Sequence, residues 1–507
     1  MDWSHGYYAN SGYSFGYYPE TMPARLRWAS QLHGHALPEK NFRYLDAGCG
    51  QGLNLILAAA MHPDSEFVGI DFLPEHVVNA REVIRRCGLD NVTIIEGDFI
   101  ELAKDPSSLG EFDMVVCHGI ATWIGDEVKK HLFALIGQVM RPGGLFYNSY
   151  NTHPGWLSAV PFQHLILLEQ RSKGGTEALN SARETLAKLN EHSENLFKGL
   201  PGLPIRLKTL ETQDPAYLLQ EYNNEHWRPV FVSEMIDQMN AVKLDFLGTA
   251  TLSDAFETLL KPEVRDLIKA QPNATLREQI RDYAISQSFR RDLYVKGKSQ
   301  SWEPAHSERL RELGVMVNPL IPRPTGDEPY RIKGSSQELL GNAGFYNSLI
   351  SAIEASPGGT TVGALIDGEP DARRKRNVFE TLSMLMQGGW ITPRVDAPNP
   401  RGREIAAALA EAICGGAPYR YAPLPATGAA MRLAETDWIM IKLTSEGVAL
   451  EDMPAKIVAA LGRLNRKLAK EGKPVETPAE QQEVLAKIVA DFNAGPLAYF
   501  RAVGILQ

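Results

Sequence analysis

Apolar positions in the first third of the chain fall into short unbroken runs separated by helical stretches, the pattern of a parallel sheet buried on both faces. Phe42, Tyr44 and Leu45 end the first run, and Glu66–Ile70, Val92–Gly97, Phe112–His118 and Leu145–Tyr150 follow it at even intervals. Between the first two, Leu53–Ala60 reads as an amphipathic helix; Val128–Met140 reads as another, before Arg141-Pro142-Gly143-Gly144 turns into the fifth strand. Beyond residue 160 the period becomes helical, at Leu165, Leu167 and Leu168, at Leu186, Leu189 and Leu196, and at Met235, Ile236 and Met239. The stretch Asn318–Pro329, with four prolines and a glycine, reads as a linker. After it the pattern predicts helices over Gln337–Leu340, Phe345–Ala355 and Val378–Met386, then an extended wing from Trp390 to Val395, a winged-helix-like order. Alanine-rich helices around Ala406–Ala412 and Ala455–Leu468 follow. The expected organisation is α/β over 1–160, helical over 161–300, linker and winged-helix-like over 301–400, and helical over 401–507.

The first run leads into Leu45-Asp46-Ala47-Gly48-Cys49-Gly50-Gln51-Gly52, a strand, a glycine turn and a helix. Glycine lets the turn be tight and lets a ligand reach the backbone without meeting a Cβ. The second strand ends in Asp71, 21 residues after Gly50, where an acid can accept hydrogen bonds from both hydroxyls of a ribose. A dinucleotide site would place pyrophosphate over a Gly-x-Gly-x-x-Gly turn, but here the glycines alternate and Asp46 precedes them. That carboxylate would repel a pyrophosphate and suits the ammonium of a methionine moiety. Asp98 and Phe99, after the third strand, offer a carboxylate and a backbone N–H to an adenine edge.

These residues resemble the class I S-adenosylmethionine-dependent methyltransferases, with a Rossmann-like fold. The resemblance implies S-adenosylmethionine as cofactor, contacted by Asp46, Gly48, Cys49, Gly50, Gly52, Asp71, Phe72, Asp98, Phe99 and His118. An aromatic N-terminal segment, with Tyr7, Tyr8, Tyr13, Phe15, Tyr17 and Tyr18, suits a lid in which a ring meets the sulfonium by cation–π attraction; Tyr17 is the candidate. Downstream, Ser149–Trp156, Glu221–Pro229, Lys243–Gly248 and Ser288–Gly297 are similar to segments of bacterial protein-lysine methyltransferases of the rickettsial type, which carry a methyltransferase regulatory domain over the region that here spans 161–300. That likeness implies transfer to lysine ε-amines of a protein substrate, bacterial surface proteins among them. His118, Tyr150, Asn151 and Trp156 are the candidate catalytic residues, Tyr147, His153 and Asp126 further ones. His118 could contact the cofactor through its backbone, orient the acceptor, remove a proton or simply pack.

Composition narrows the alternatives. A chain of 507 residues with 44% hydrophobic residues has room for about three domains. A formal charge of −9 argues against a general nucleic-acid binder, although Arg373-Arg374-Lys375-Arg376 enters the last winged-helix-like helix. The four cysteines, Cys49, Cys87, Cys117 and Cys414, show no paired spacing, so neither a zinc site nor a disulfide framework is expected. With no long apolar run and no leader-like start, a cytoplasmic protein without a membrane span is expected, its oligomeric state open. A small-molecule methyltransferase and a non-catalytic S-adenosylmethionine-binding regulator are the other readings.

Overall fold

The apolar runs pair side by side. In the computed structural model, which describes residues 15–193, 195–210, 218, 221–298, 303–335, 338–356, 358–470 and 473–507, seven strands make one sheet. They are β1 (Arg43–Ala47), β2 (Glu66–Asp71), β3 (Val92–Glu96), β4 (Phe112–His118), β5 (Met140–Asn151), β6 (Asp245–Thr249) and β7 (Phe289–Val295), in the order β3-β2-β1-β4-β5-β7-β6. β1 to β5 are parallel, and β7 runs antiparallel to both its neighbours. Tyr7, Tyr8, Tyr13 and Gln337 lie outside the described residues.

β6 and β7 correct the expectation that 161–300 is a helical domain apart from the sheet. β7 does not read as a strand because its buried face carries Arg290 and Asp292, which neutralise each other: Arg290 Nε lies 2.9 Å from Asp292 Oδ1. Tyr294, next on that face, is fully buried. Most of the helical part of the stretch is an insertion between β5 and β6, and the helices Pro262–Lys269 and Ala274–Ile285 lie between β6 and β7. The insertion's helices Val160–Glu169 and Gly175–His192 pack with Phe197, Leu203, Tyr222 and Trp227 into a core of their own.

Helices α1 (Pro23–Leu32), α2 (Leu53–Met61) and α3 (Pro74–Cys87) cover one face of the sheet, and α4 (Phe99–Lys104) and α5 (Asp126–Val139) the other. All nine residues of α2 are buried, where an amphipathic helix was expected. A helix buried all round needs a second cover. The hairpin Tyr421–Leu424 with Ala429–Arg432 and the helix Gly402–Cys414 supply it. Asn399 Nδ2 donates to the Ala60 carbonyl at 2.7 Å, and Arg401 donates to that of Gly88 at 2.9 Å.

The expected helix at Gln337–Leu340 is instead a strand, Glu338–Gly341, paired with Tyr330–Lys333. Tyr330 fixes it, packing 5.1 Å from Tyr346 and 4.8 Å from Trp390. The helix expected over Val378–Met386 is longer, Ala372–Gln387, because Asp371 caps it, accepting from the Arg373 and Arg374 N–H groups. Its buried side meets α1, where Trp28 stacks 4.8 Å from Phe379 and donates to Ser383 at 3.0 Å, and Arg373, Arg374 and Arg376 face solvent. The small sheet beside it takes its middle strand from Gly314–Val317, upstream of the linker. Among the described residues no helix is long and apolar enough to cross a membrane.

Candidate active site

The turn after β1 is held open by its glycines. Gly48, Gly50 and Gly52 have φ of +85°, +54° and +73°, a region that side chains rarely adopt. A Cβ on Gly48 would lie 2.8 Å from Ile120, and one on Gly52 2.6 Å from Ala80. The Gly48 and Cys49 N–H groups donate to the Ile70 carbonyl at 2.8 and 3.0 Å, pinning the turn to β2. At the end of β2, Asp71 accepts from the Gly50 N–H at 2.8 Å and the Leu73 N–H at 3.0 Å, and its Oδ1 lies 3.1 Å from His76 Nδ1. Asp46 is buried at the end of β1. Burial foremost, and the Asp71 charge beside it, push its carboxyl up to about 7 against the opposing hydrogen bond from Asn54.

A cavity of about 540 Å³ opens at the C-terminal ends of β1 to β5, where ligands bind in open α/β sheets. Asp46, Gly48, Cys49, Gly50 and Gly52 line it from the turn, Asp71, Phe72, Asp98 and Phe99 from the next two strands, and His118, Asn151 and Trp156 from beyond β4 and β5. Asp98 also caps α4, accepting from the Ile100 N–H at 2.7 Å. Asn151 Nδ2 and Trp156 Nε1 are buried and have no hydrogen-bond partner among the described residues.

Five expected site residues, Tyr17, Asp126, Tyr147, Tyr150 and His153, fall outside this cavity. Tyr17 turns the other way: its hydroxyl accepts from the Ala430 N–H at 2.8 Å and its ring lies 5.3 Å from that of Tyr421. Its neighbours Gly16 and Tyr18 line the cavity instead. Tyr150 is on the opposite face of β5 from Asn151, as strand alternation requires, and donates to Asp292 at 2.5 Å. Asp126 is exposed and paired with Lys129 and Arg228, and His153 packs 5.0 Å from Phe231.

His118 lines the cavity but is a poor base. Burial foremost drives its pKa down to about 3, so the ring is neutral at physiological pH. Its Nδ1 lies 3.0 Å from the Tyr147 hydroxyl and 3.1 Å from Ser149 Oγ, and its ring stacks 3.9 Å from Tyr18. It therefore supports the wall formed by Tyr18.

Sequence reasoning passed over Asn54, Trp123, Glu221, Asn224 and Phe289, all of which line the cavity. Glu221 and Asn224 come from the insertion, and Asn224 ties it to the loop after β4 by donating to the Trp123 carbonyl at 2.8 Å. Phe289 opens β7. The signal was present in the segments Glu221–Pro229 and Ser288–Gly297, but strand and loop geometry was needed to show which members face inward.

The residues present fit a nucleoside bearing positive charge: a glycine cradle that a Cβ would fill, two acids at adjoining strand ends, and a buried carboxyl that a cation would ionise. Residues 38–217 match the family described as methyltransferase domain, and 214–296 the family described as predicted methyltransferase regulatory domain. The chain belongs to the class I S-adenosylmethionine-dependent methyltransferases that carry this regulatory domain, and its cofactor is S-adenosylmethionine. An uncharacterised protein of Synechocystis sp. is 29% identical over 525 residues, 100% of both chains. Malonyl-[acyl-carrier protein] O-methyltransferase of Chlorobium phaeovibrioides is 30% identical over 36% of this chain and 76% of its own. PKMT2 from Rickettsia typhi, solved in complex with AdoHcy, has the same fold, with a TM-score of 0.72 at 19% identity over 97% of this chain and 99% of that one.

Proposed function

We propose that the protein N-methylates lysine side chains of a protein substrate by in-line transfer. The observation that carries this reading is that the insertion contributes a carboxylate, Glu221, to a cavity that Trp123, Trp156 and Phe289 also line. The other lining carboxylates, Asp46, Asp71 and Asp98, belong to the ends of β1, β2 and β3, on the cofactor side. The likeness of the regulatory segments to rickettsial-type protein-lysine methyltransferases supports the same reading, as does a fold shared with PKMT2 over nearly the whole length.

In this reading Asp71 holds the ribose hydroxyls, Asp98 and Phe99 read the adenine, and Asp46 faces the methionine ammonium. When bound, the sulfonium supplies a methyl carbon open to attack. Everything else falls to the protein: it must hold the acceptor at near-attack distance and give it a lone pair. A lysine of ordinary pKa near 10.4 is almost wholly ammonium at pH 7. Trp123, Trp156 and Phe289 strip water from it, which favours the neutral amine, and Glu221 orients the ammonium and receives its proton.

Glu221→Gln is expected to lower kcat/KM for a protein acceptor by roughly 10- to 100-fold, with cofactor affinity, measured by calorimetry, within about twofold of wild type. An unchanged kcat/KM would remove Glu221 from the acceptor site. The reaction itself is tested by transfer of radiolabelled methyl into a host-cell lysate separated into protein, nucleic-acid and small-molecule fractions. Label in acid-stable protein bands that map to methyl-lysine is the expected result. Label confined to small molecules would favour a second reading, methylation of a small acid, for which the Asn151 Nδ2 and Trp156 Nε1 donors, unpaired among the described residues, speak.

The buried Asp46 makes cofactor binding pH-dependent. A cationic ligand favours the charged carboxylate, so binding below pH 7 must release its proton. Affinity is expected to rise by up to about tenfold per unit as pH climbs toward 7, then level off. Asp46→Asn should flatten that profile; an equal slope in the variant would assign the proton to another group.

A further inference from the structure

The N-terminal segment lies between the cavity and the C-terminal part of the chain, and its residues alternate. Gly16 and Tyr18 line the cavity, whereas Phe15 and Tyr17 point away from it. On the outer side the Phe15 ring meets Tyr419 edge-on at 5.1 Å, and Tyr17 takes the Ala430 N–H. On the inner side the Tyr18 N–H donates to Asn54 Oδ1 at 2.9 Å, and its ring stacks on His118. Asn54 in turn donates to Thr21 at 2.9 Å and hydrogen-bonds to Asp46. The Tyr421–Leu424/Ala429–Arg432 hairpin is seated on the same ground: its Gly428 turn comes so close that a Cβ there would lie 2.8 Å from Ala24 in α1. Successive residues of an extended segment face opposite ways. A shift of the hairpin is therefore passed through one peptide unit, from Tyr17 to Tyr18, into the cavity wall.

We propose that the C-terminal hairpin sets cofactor affinity through this strap, with Tyr17 as the positioning residue that holds Gly16 and Tyr18 in the wall of the S-adenosylmethionine site. The proposal rests on the cofactor assignment above. It gives the part of the chain beyond residue 300 a role in the reaction although none of its described residues lines the cavity. Linkage is reciprocal, so the cofactor must steady the hairpin as much as the hairpin steadies the cofactor.

The test is a set of cofactor titrations by calorimetry with parallel kinetics. Tyr17→Phe, which removes only the hydroxyl, is expected to weaken S-adenosylmethionine binding by about tenfold and raise its KM alike. kcat at saturating cofactor should change by less than about twofold, a split that simple loss of folded protein would not produce. Ala430→Pro, which deletes the N–H from the other side and leaves the cavity wall untouched, should give the same loss, and the double variant should be no weaker than either single one. In the wild-type protein, amide exchange over 421–432 should slow when S-adenosylhomocysteine is added. Wild-type affinity in Tyr17→Phe, or hairpin exchange that ignores the ligand, overturns the strap. Failure of the wild-type protein to bind S-adenosylmethionine would instead strike the cofactor assignment on which the strap depends.

Discussion

Asp71→Ala is expected to weaken S-adenosylmethionine binding by about 100-fold or more, because hydrogen bonds to a charged carboxylate contribute about 1.5–3 kcal/mol each and a ribose takes two. The substitution acts twice. It removes the ribose acceptor, and it frees the Gly50 N–H that Asp71 holds at 2.8 Å, so the turn under the cofactor loses its brace. It also lifts a negative charge from beside Asp46, whose carboxyl stands near 7 partly on that account. In Asp71→Ala the residual pH dependence of binding should therefore move toward lower pH, which calorimetry across pH 5–8 would detect. Binding as tight as wild type would refute the assignment of Asp71 to the ribose.

Arg290→Met is expected to cost about 3–5 kcal/mol of stability, read as a lower thermal or denaturant midpoint. Arg290 is buried, and it reaches three carboxylates: Asp282 at 2.5 Å, Asp292 at 2.9 Å and Glu278 at 2.7 Å. Tyr150 and Tyr294 donate to Asp292 from β5 and β7. Without the guanidinium Asp282 and Asp292 are left buried with no cation beside them among the described residues. A loss below about 1 kcal/mol would mean that they are neutral in the folded protein. Burial foremost raises the Asp282 carboxyl to about 7, above its ordinary 3.8. A folded-state pKa raised in this way gives stability that is full below about pH 4 and is lost as pH rises through 7. The protein without cofactor should thus be less stable at pH 8 than at pH 5, with Asp46 adding a slope of the same sign. Asp282→Asn should remove its share.

The same strand shows why part of the fold escapes a linear reading. β1 to β4 are legible because their buried residues, Asp46 and Asp71 apart, are apolar, and Gly48, Gly50, Gly52 and Asp71 are legible because the turn admits few other residues. β7 hides its strand character behind Arg290 and Asp292, and the remaining N–H groups of the guanidinium find acceptors only once Glu278 and Asp282 are folded over it. Tyr17 and Tyr18 are adjacent and chemically alike, and composition gives no reason to prefer one. The hydrogen bond to Ala430, 413 residues away, decides that Tyr17 faces outward and Tyr18 inward. Glu221 is similar: a loop acid by pattern, it becomes part of the cavity wall because Asn224, held within the insertion by Gln163, bonds to the loop after β4.

By itself, then, the sequence determined the parallel sheet, the glycine turn and the acids at the C-terminal ends of β1 and β2 and just after β3, and hence the cofactor class. Those features depend on residues near one another in the chain, where period and spacing express geometry directly. The tertiary structure alone decided which residues of the insertion and of β7 line the cavity, which of Tyr17 and Tyr18 faces it, and how β6 and β7 close the sheet. Those outcomes depend on contacts between residues far apart in the chain, where a charge or ring is buried only because a distant partner satisfies it.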